Sequence, residues 1–228
     1  FGRRTAGKML LFGNEKSFAR GREIMEMKVR NQERQMALSP DVAKEIEPAL
    51  NAVASPLVGV IYGPTEETGN APQFAEKLGD LISREYGTSF RFNASVSSLG
   101  SDSGSASVIL DTGEELRADI AIVCSGAAAG HLLRKTNIYI PIYPMKGYSF
   151  IAPATAASPE VSITDVARKL VFTRIGDEML IAGLADLGDD SPIVRPERMA
   201  NLIESAQASL PDAADYSMTR NHWSGLRP

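Results

Sequence analysis

Cysteine, histidine and long apolar runs are scarce in this chain of 228 residues, and each shortage excludes a class of protein. The single cysteine, Cys124, rules out a disulfide framework within the chain and favours a cytosolic compartment. The two histidines, His131 and His222, stand far apart without a cysteine or carboxylate cluster at ligand spacing, so we predict no metal site. The best apolar run, residues 120–129, is half as long as the ~20 residues that a membrane-spanning helix needs.

The net charge is small, and two common functional motifs are absent from the sequence. The formal net charge of −4 does not suggest a nucleic-acid partner. The chain contains neither the G-x-S-x-G motif of serine hydrolases nor the G-x-G-x-x-G dinucleotide fingerprint. No leader peptide is recognisable, and the chain starts without methionine and ends inside a candidate site. We therefore expect it to be an internal piece of a longer protein.

The first half of the chain predicts a mixture of helices and strands. Ser39 is typical of a helix N-cap, Pro40 of the first helical position and Gly87 of a C-cap. Residues 118–123 predict a fully buried strand that leads through a glycine turn into a short helix. The other predicted elements are helices over residues 15–35 and 72–86, and strands over residues 5–13, 57–62, 89–93, 94–99, 106–110 and 115–117.

The second half is rich in strands. Predicted antiparallel strands cover residues 138–144, 147–151, 161–164, 169–174 and 179–184, followed by a helix over 196–210 and a last strand within 216–225. A mixed α/β (α+β) first part and a β-rich second part predict two domains whose segments interleave along the chain.

Two short segments are candidate binding sites. In the segment Gly225-Leu226-Arg227-Pro228, the planar guanidinium of Arg227 can bind a carboxylate through two parallel hydrogen bonds. The alternative is that this segment is a turn in the tail, without a ligand. In the turn Cys124-Ser125-Gly126, backbone N–H groups can face a phosphate, or the turn is a tight connection without a ligand. Because no base is arranged beside Cys124, we predict a buried small residue there and not a nucleophile.

A third segment, around Lys146 and Gly147, carries a cation between tyrosines. Lys146 either approaches an anionic ligand or is an exposed charge at a rim. Tyr139, Tyr143 and Tyr148 either line a pocket or pack on the surface of a sheet.

Five segments, taken in order, resemble the FAD-dependent D-amino-acid oxidase superfamily, and most closely the small subunit of bacterial D-amino-acid dehydrogenases. The resemblance covers nearly the whole chain, and the ordered set is specific for the superfamily. The segments are GVIYGPTEETGN (59–70), FRFNASV (90–96), ADIAIVCSG (118–126), IPIYPMKGYS (140–149) and WSGLRP (223–228).

The resemblance implies a partial FAD-binding, Rossmann-like domain interleaved with a substrate domain built on an antiparallel sheet. Residues 1–62 and 143–222 then form the substrate domain, and residues 63–142 and 223–228 belong to the FAD-binding domain. By the same resemblance, Arg227 binds the substrate carboxylate. The implied cofactor-binding residues are Val96, which meets the adenine side of FAD through its backbone, Cys124, Ser125 and Gly126 in the FAD-binding turn, and Gly225 and Leu226 near the flavin.

The activity implied is oxidative deamination of D-amino acids by hydride transfer from Cα to FAD, with electrons passing to a membrane quinone. No side chain is implied as a general acid or base, because the enzyme chiefly orients its substrate over the flavin. The implied location is the cytoplasm, with a peripheral association with the inner membrane. The alternatives are a glycine or sarcosine oxidase of the same superfamily, or a non-catalytic binding module with this fold; the oligomeric state is not predicted.

Three parts of the family pattern are absent from this sequence: the glycine-rich N-terminal strand, the acidic residue that binds the ribose, and the segment that follows Gly-Leu-Arg-Pro. We therefore expect the isolated chain neither to bind FAD tightly nor to show dehydrogenase activity. Flavin absorbance that copurified with the isolated chain would contradict this expectation.

Overall fold

The computed structural model describes residues 2–102 and 104–228. These residues form an eight-stranded mixed sheet, a three-stranded antiparallel sheet and five α-helices. The helices are α1 (Glu15–Arg30), α2 (Pro40–Ile46), α3 (Ala71–Tyr86), α4 (Ala129–Arg134) and α5 (Pro196–Ser209). The strands are β1 (Lys8–Phe12), β2 (Met36–Leu38), β3 (Gly59–Gly63), β4 (Val96–Asp102), β5 (Ser105–Leu110), β6 (Glu115–Ala118), β7 (Met145–Pro153), β8 (Ser162–Asp165), β9 (Leu170–Ile175), β10 (Glu178–Leu187) and β11 (Arg220–Arg227).

The helix ends follow the capping residues. Asn14 accepts the backbone N–H of Ser17 through its side chain at 2.9 Å and starts α1. Ser39 caps α2, and Pro40 occupies its first turn, which confirms the prediction. Gly87 follows α3 with φ of +64°, the left-handed conformation that a helix C-cap favours.

The large sheet has the strand order β11-β7-β10-β9-β8-β1-β3-β2. Its strand β1 pairs antiparallel with β3 and parallel with β8, so that residues near the N-terminus lie beside residues beyond position 160. The small sheet has the order β4-β5-β6, and both of its pairings are antiparallel. The predicted mixed α/β class is therefore confirmed, and the large sheet is mixed because of the β1–β8 pairing.

Helix α1 packs closely on the large sheet through two glycine–phenylalanine contacts. A Cβ placed on Gly21 would lie 2.5 Å from the ring of Phe12, which is 4% exposed. A Cβ on Gly59 of β3 would collide with the ring of Phe18, which comes from α1. The two rings are 5.6 Å apart, so each aromatic side chain fills the space that a glycine leaves open.

The main core lies between α5 and strands β7 to β10. Buried residues of α5 recur at a helical spacing and present one apolar face to the sheet. The core residues with no exposed surface include Phe150, Ile163, Leu170, Phe172, Met179, Ile181, Leu202 and Ala206. Burying each large apolar side chain stabilises the fold by about 1.5–3 kcal/mol.

The chain divides into two compact units. The first contains Phe1–Glu76, Gly147–Ala185 and Pro192–Gly225, and carries the main core. The second contains Lys77–Lys146, Asp186–Ser191 and Leu226–Pro228, and carries the three-stranded sheet. The domain boundaries expected from the family resemblance remain a prediction.

Residues 118–123 do not form the predicted buried strand. Ile120 and Ile122 are 76% and 83% exposed, and only Ala118 belongs to a strand, as the last residue of β6. A buried strand needs hydrogen-bonded neighbours and covered faces, and beyond Ala118, which pairs with Ala106, the described residues give this run no partner strand.

Two further predicted strands are absent, and one helix is shorter than expected. Residues 89–93 are not a strand, because Asn93 adopts φ of +55° and interrupts the extended backbone. Residues 138–144 are irregular, since Pro141 and Pro144 lack the N–H that a strand ladder uses. Helix α1 ends at Arg30, five residues before its predicted end.

Candidate functional site

A surface cavity of about 460 Å³ in the second unit brings two of the predicted site residues together. Val96 lies at the start of β4, and Ser125 lies in the glycine turn that precedes α4. The sequence separates these residues widely, but the packing of α4 on β4 places both on one cavity. The full lining is Ala94, Ser95, Val96, Ser97, Ser125, Ala128, His131, Leu132 and Lys135.

The β4 side of the cavity is fixed by pairing within the small sheet. Val96 pairs with Leu110, and the register shifts between Val96 and Ser98. The hydroxyl of Ser97 donates to the carbonyl of Ile109 at 3.0 Å. Residues 94–97, beside this irregularity, form one part of the cavity lining.

The opposite side of the cavity comes from α4. Lys135 donates from Nζ to the carbonyl of Ser97 at 2.7 Å and so joins the helix to the strand. His131 stands one helical turn before Lys135 and shares the cavity. The sequence assigned His131 neither a metal nor a role as a base beside Cys124, and its i, i+4 spacing with Lys135 is the signal that indicates a shared face.

The turn Cys124-Ser125-Gly126 is irregular, as predicted, but the buried strand expected before it is absent. Gly126 has φ of +57°, and open space lies where its Cβ would be. The carbonyl of Ser125 accepts the N–H of Ala128 at 3.1 Å and starts a 3₁₀ turn. Cys124 and Gly126 flank Ser125 but do not line the cavity.

Cys124 is exposed, so the prediction of a buried small residue is wrong. The prediction rests on the lack of a base beside the thiol, which argues against a nucleophile but does not bury the side chain. Because residues 118–123 lack the predicted strand, the cysteine that follows them is left at the surface.

The terminal segment forms the end of β11. Ser224 is buried and donates from Oγ to the carbonyl of Pro192 at 2.7 Å. The indole of Trp223 lies over Gly225, where a Cβ would collide with the ring. The ring of Trp223 leaves no room for a side chain at position 225. This contact is a local structural reason for the glycine of the motif.

Arg227, the last residue of β11, is exposed. Within residues 2–102 and 104–228, no carboxylate pairs with its guanidinium. Leu226 beside it is half-buried. The arrangement presents a cationic fork of donors at the end of a sheet strand, which can accept an anion in two parallel hydrogen bonds.

Lys146 is not the exposed rim charge that was one of its two alternatives. Its side chain has no exposed surface, and its Nζ lies 2.9 Å from Oδ2 of Asp189. Sequence reasoning missed Asp189, since a single aspartate in the polar segment after β10 carries no local signal of burial. Among the described residues, no group of acidic, histidine or cysteine side chains could hold a metal ion.

Comparison with known proteins places this arrangement in a family. Residues 1–228 match the family described as DAO, FAD dependent oxidoreductase. The chain is 30% identical to the D-amino acid dehydrogenase of Paramagnetospirillum magneticum over 230 residues, which are 100% of this chain and 54% of that protein. The chain thus spans about half the length of the curated relatives it matches.

Solved structures share the fold. The glycine oxidase of Geobacillus kaustophilus matches with a TM-score of 0.87 at 22% identity, over 100% of this chain and 60% of that one. The L-α-glycerophosphate oxidase of Mycoplasma pneumoniae, solved in a dithionite-reduced form with FAD bound, matches with a TM-score of 0.83 at 14% identity, over 100% and 62%. The match to the family extends over the whole sequence, and the chain therefore belongs to the DAO family of FAD-dependent oxidoreductases.

Proposed function

We propose that the protein containing this chain oxidises D-amino acids with FAD, and that Arg227 binds the substrate carboxylate. The observation that carries the proposal is the exposed guanidinium of Arg227, which has no carboxylate partner among the described residues. An unpaired arginine at a strand end is ready to take the carboxylate of a small zwitterion. The relatives named D-amino acid dehydrogenase support the substrate class.

The arginine does the positioning that this chemistry needs. Two parallel hydrogen bonds fix the plane of the carboxylate and thereby direct the substrate Cα. Bound at this site, FAD would supply the acceptor for the hydride from Cα; the substrate amine would also give up a proton, and water would hydrolyse the resulting imino acid. The second oxygen of the carboxylate fits the fork of arginine better than the point charge of lysine.

The residues present fit one part of FAD. Residues 94–97 and Ser125 line one cavity, and open space lies at the Cβ position of Gly126. We assign Val96 to the adenine side of the cofactor site, and Cys124, Ser125 and Gly126 to the FAD-binding turn. Gly225 and Leu226 on β11 are assigned to the flavin side.

The proposed domain division follows the family resemblance. Residues 1–62 and 143–222 form the substrate domain, and residues 63–142 and 223–228 belong to the FAD-binding domain. The two compact units support an interleaved division, although they change at Glu76 and Lys146 and assign Asp186–Ser191 to the second unit.

The proposed electron acceptor is a membrane quinone, and the proposed location is the cytoplasm with a peripheral association with the inner membrane. No helix in the described ranges combines the length and the apolarity that a bilayer crossing requires. The support for a quinone is the family resemblance to dehydrogenases.

A second candidate is a glycine or sarcosine oxidase. The observation that favours it is the likeness to glycine oxidase, with a TM-score of 0.87 at 22% identity, which shows the fold alone. The two candidates differ in substrate and in acceptor, so one assay separates them.

The experiment uses the protein expressed from its complete gene, and its flavin content is measured after purification in the presence of FAD. D-alanine, L-alanine, glycine and sarcosine are each supplied with a quinone-like dye or with oxygen as acceptor. The proposal predicts oxidation of D-alanine with the dye and little with oxygen. Faster oxidation of glycine or sarcosine with oxygen would favour the second candidate, and a purified protein without flavin would favour a non-catalytic module.

A further inference from the structure

The hydrogen bond between Lys135 and Ser97 joins two sides of the cavity in the second unit. Lys135 follows α4 directly, and its Nζ donates to the backbone carbonyl of Ser97 at 2.7 Å. Both residues line the cavity of about 460 Å³, Lys135 from the α4 side and Ser97 from the β4 side. One side chain therefore connects the two elements between which this cavity lies.

Ser97 is the point of β4 at which the strand pairing is interrupted. Val96 pairs with Leu110 of β5, and the next pair is Ser98 with Ile109. Ser97 has no partner of its own in this register, and an extra residue of this kind disrupts the ladder locally. Its hydroxyl donates to the carbonyl of Ile109 at 3.0 Å and so fixes Ser97 to β5.

The bond from Lys135 holds the same residue from the other direction. The hydroxyl of Ser97 is tied to β5, and its carbonyl is tied to the residue that follows α4. Val96 is joined to Ser97 by one peptide bond. The two anchors therefore also fix the backbone of Val96, which lines the same cavity.

Stability is a weak reason for this bond. Lys135 is exposed, and within residues 2–102 and 104–228 no carboxylate forms an ion pair with it. A hydrogen bond from an exposed cation contributes little to the free energy of unfolding, because water replaces it easily. The same bond matters more for a ligand, since a site that is already in its bound shape loses less entropy on binding.

We infer that Lys135 is a positioning residue for the cofactor, whose bond to Ser97 holds Val96 in place on the adenine side of the FAD site. The inference rests on the proposed function, in which Val96 meets the adenine side of FAD. It assigns no contact between Lys135 and the cofactor. It predicts a change in the affinity for FAD and not in the reaction of the loaded protein.

The test uses the protein expressed from its complete gene, freed of FAD and titrated again with FAD while flavin fluorescence is recorded. Lys135→Met keeps most of the length of the side chain but removes the donor, and the Kd for FAD is expected to rise about fivefold to tenfold. Lys135→Ala is expected to give a rise of the same size. Lys135→Arg, which keeps a cationic donor, is expected to stay within about twofold of the wild type.

Two further readouts separate the adenine side from the rest of the site. ADP carries the adenosine part of the cofactor without the flavin, and its Kd, measured by calorimetry, is expected to rise in Lys135→Met by the same factor as the Kd for FAD. At saturating FAD the KM for D-alanine is expected to stay within about twofold of the wild type, because the proposed substrate contact is with Arg227.

Salt separates positioning from direct attraction. The rise in Kd is expected to persist at about 0.5 M salt, since salt screens the attraction between separated charges far more than it weakens a short hydrogen bond to a carbonyl. A rise that disappears at high salt would indicate direct attraction of the Lys135 ammonium for the cofactor phosphates and would overturn the positioning role.

The matched control is Lys77→Met, at an exposed lysine of α3 in the same unit, which is expected to leave both Kd values unchanged. An unchanged Kd for FAD in Lys135→Met, or a rise for FAD without a rise for ADP, would overturn the inference while the wild type still binds FAD and oxidises D-alanine. A wild-type protein that binds neither FAD nor ADP would overturn the proposed function as well.

Discussion

The carboxylate of Glu47 accepts the backbone N–H of Val161 at 2.8 Å, across 114 positions of sequence. The same carboxylate also accepts the N–H of Glu160 at 2.8 Å and that of Ala49 at 3.1 Å. Glu47 is 3% exposed, and its three backbone partners supply the hydrogen bonds that a buried charge requires. One side chain after α2 therefore fixes the backbone that leads into β8.

Replacing Glu47 should destabilise the first unit strongly. Glu47→Ala leaves the N–H groups of residues 160 and 161 without their acceptor, and we expect the free energy of unfolding to fall by about 3 kcal/mol. Urea unfolding of the protein expressed from its complete gene measures the change. Glu45→Ala is the control, because Glu45 is exposed on α2, the helix that Glu47 follows. A similar loss in both variants would contradict this role of Glu47.

Asp165 predicts a dependence of stability on pH. Burial opposes its charge, but hydrogen bonds from Ser209 and from the backbone and side chain of Arg168 outweigh burial and hold the pKa of this carboxyl below its ordinary value of 3.8. Because the folded pKa is lower than the unfolded one, the charged carboxyl stabilises the fold above the ordinary pKa. This contribution is lost as pH falls through the folded value.

The test compares the wild type with Asp165→Asn. At pH 7 the variant should be less stable by about 1–3 kcal/mol, since the hydrogen bonds from Arg168 and Ser209 lose their anionic acceptor. The difference in the free energy of unfolding should narrow as pH falls below the ordinary pKa of aspartate. A difference that stays constant with pH would refute the linkage, and Asp177→Asn, at an exposed turn position, should show no such trend.

Two helical glycines should respond to alanine in opposite directions. Gly21→Ala places a methyl group against the buried ring of Phe12. We expect the free energy of unfolding to fall by about 1–3 kcal/mol. In Gly79→Ala the new methyl group meets only the ring of Phe90 at 3.7 Å, which is an ordinary contact. The helix propensity of alanine should therefore raise the free energy of unfolding by about 0.5–1 kcal/mol. Urea unfolding gives both values, and the same sign for both variants would show that the contact with Phe12 yields easily.

Among these predictions, substitution of Arg227 should have the largest effect on activity. Arg227→Met should raise the activation free energy that corresponds to kcat/KM for D-alanine by about 2–5 kcal/mol. This change lowers kcat/KM by roughly 30-fold to several thousand-fold. Arg227→Lys keeps the charge but loses the planar fork, so its loss should be intermediate. Arg220→Gln, on the same strand, is the control and should change kcat/KM by less than about threefold. Full activity in Arg227→Met would remove Arg227 from the substrate site.

Local sequence signals predicted much of the fold. Ser39, Pro40 and Gly87 marked helix ends because capping and turn conformations depend on a few adjacent residues. Most strands of the second half were found within a few residues of their observed bounds, since alternating burial leaves a readable pattern.

The errors share a different cause. Residues 118–123 were expected to be buried because they are apolar, but burial requires covering elements that a local pattern does not describe. The partnership of Lys146 with Asp189 crosses 43 positions of sequence, and no short-range pattern records it. For the candidate site, the resemblance pointed to Val96 and Ser125, and the fold added the cavity that they share with His131 and Lys135.

The parallel pairing of β1 with β8 also has a consequence for synthesis of the chain. Lys8 pairs with Gly63 on one side and with Ser162 on the other, so one edge of β1 stays open until the ribosome has made residues beyond 162. Such long-range pairing slows folding, and an open strand edge invites pairing with other chains. The sheet of β2, β3 and β1 is therefore open to non-native pairing during synthesis, until β8 has been made.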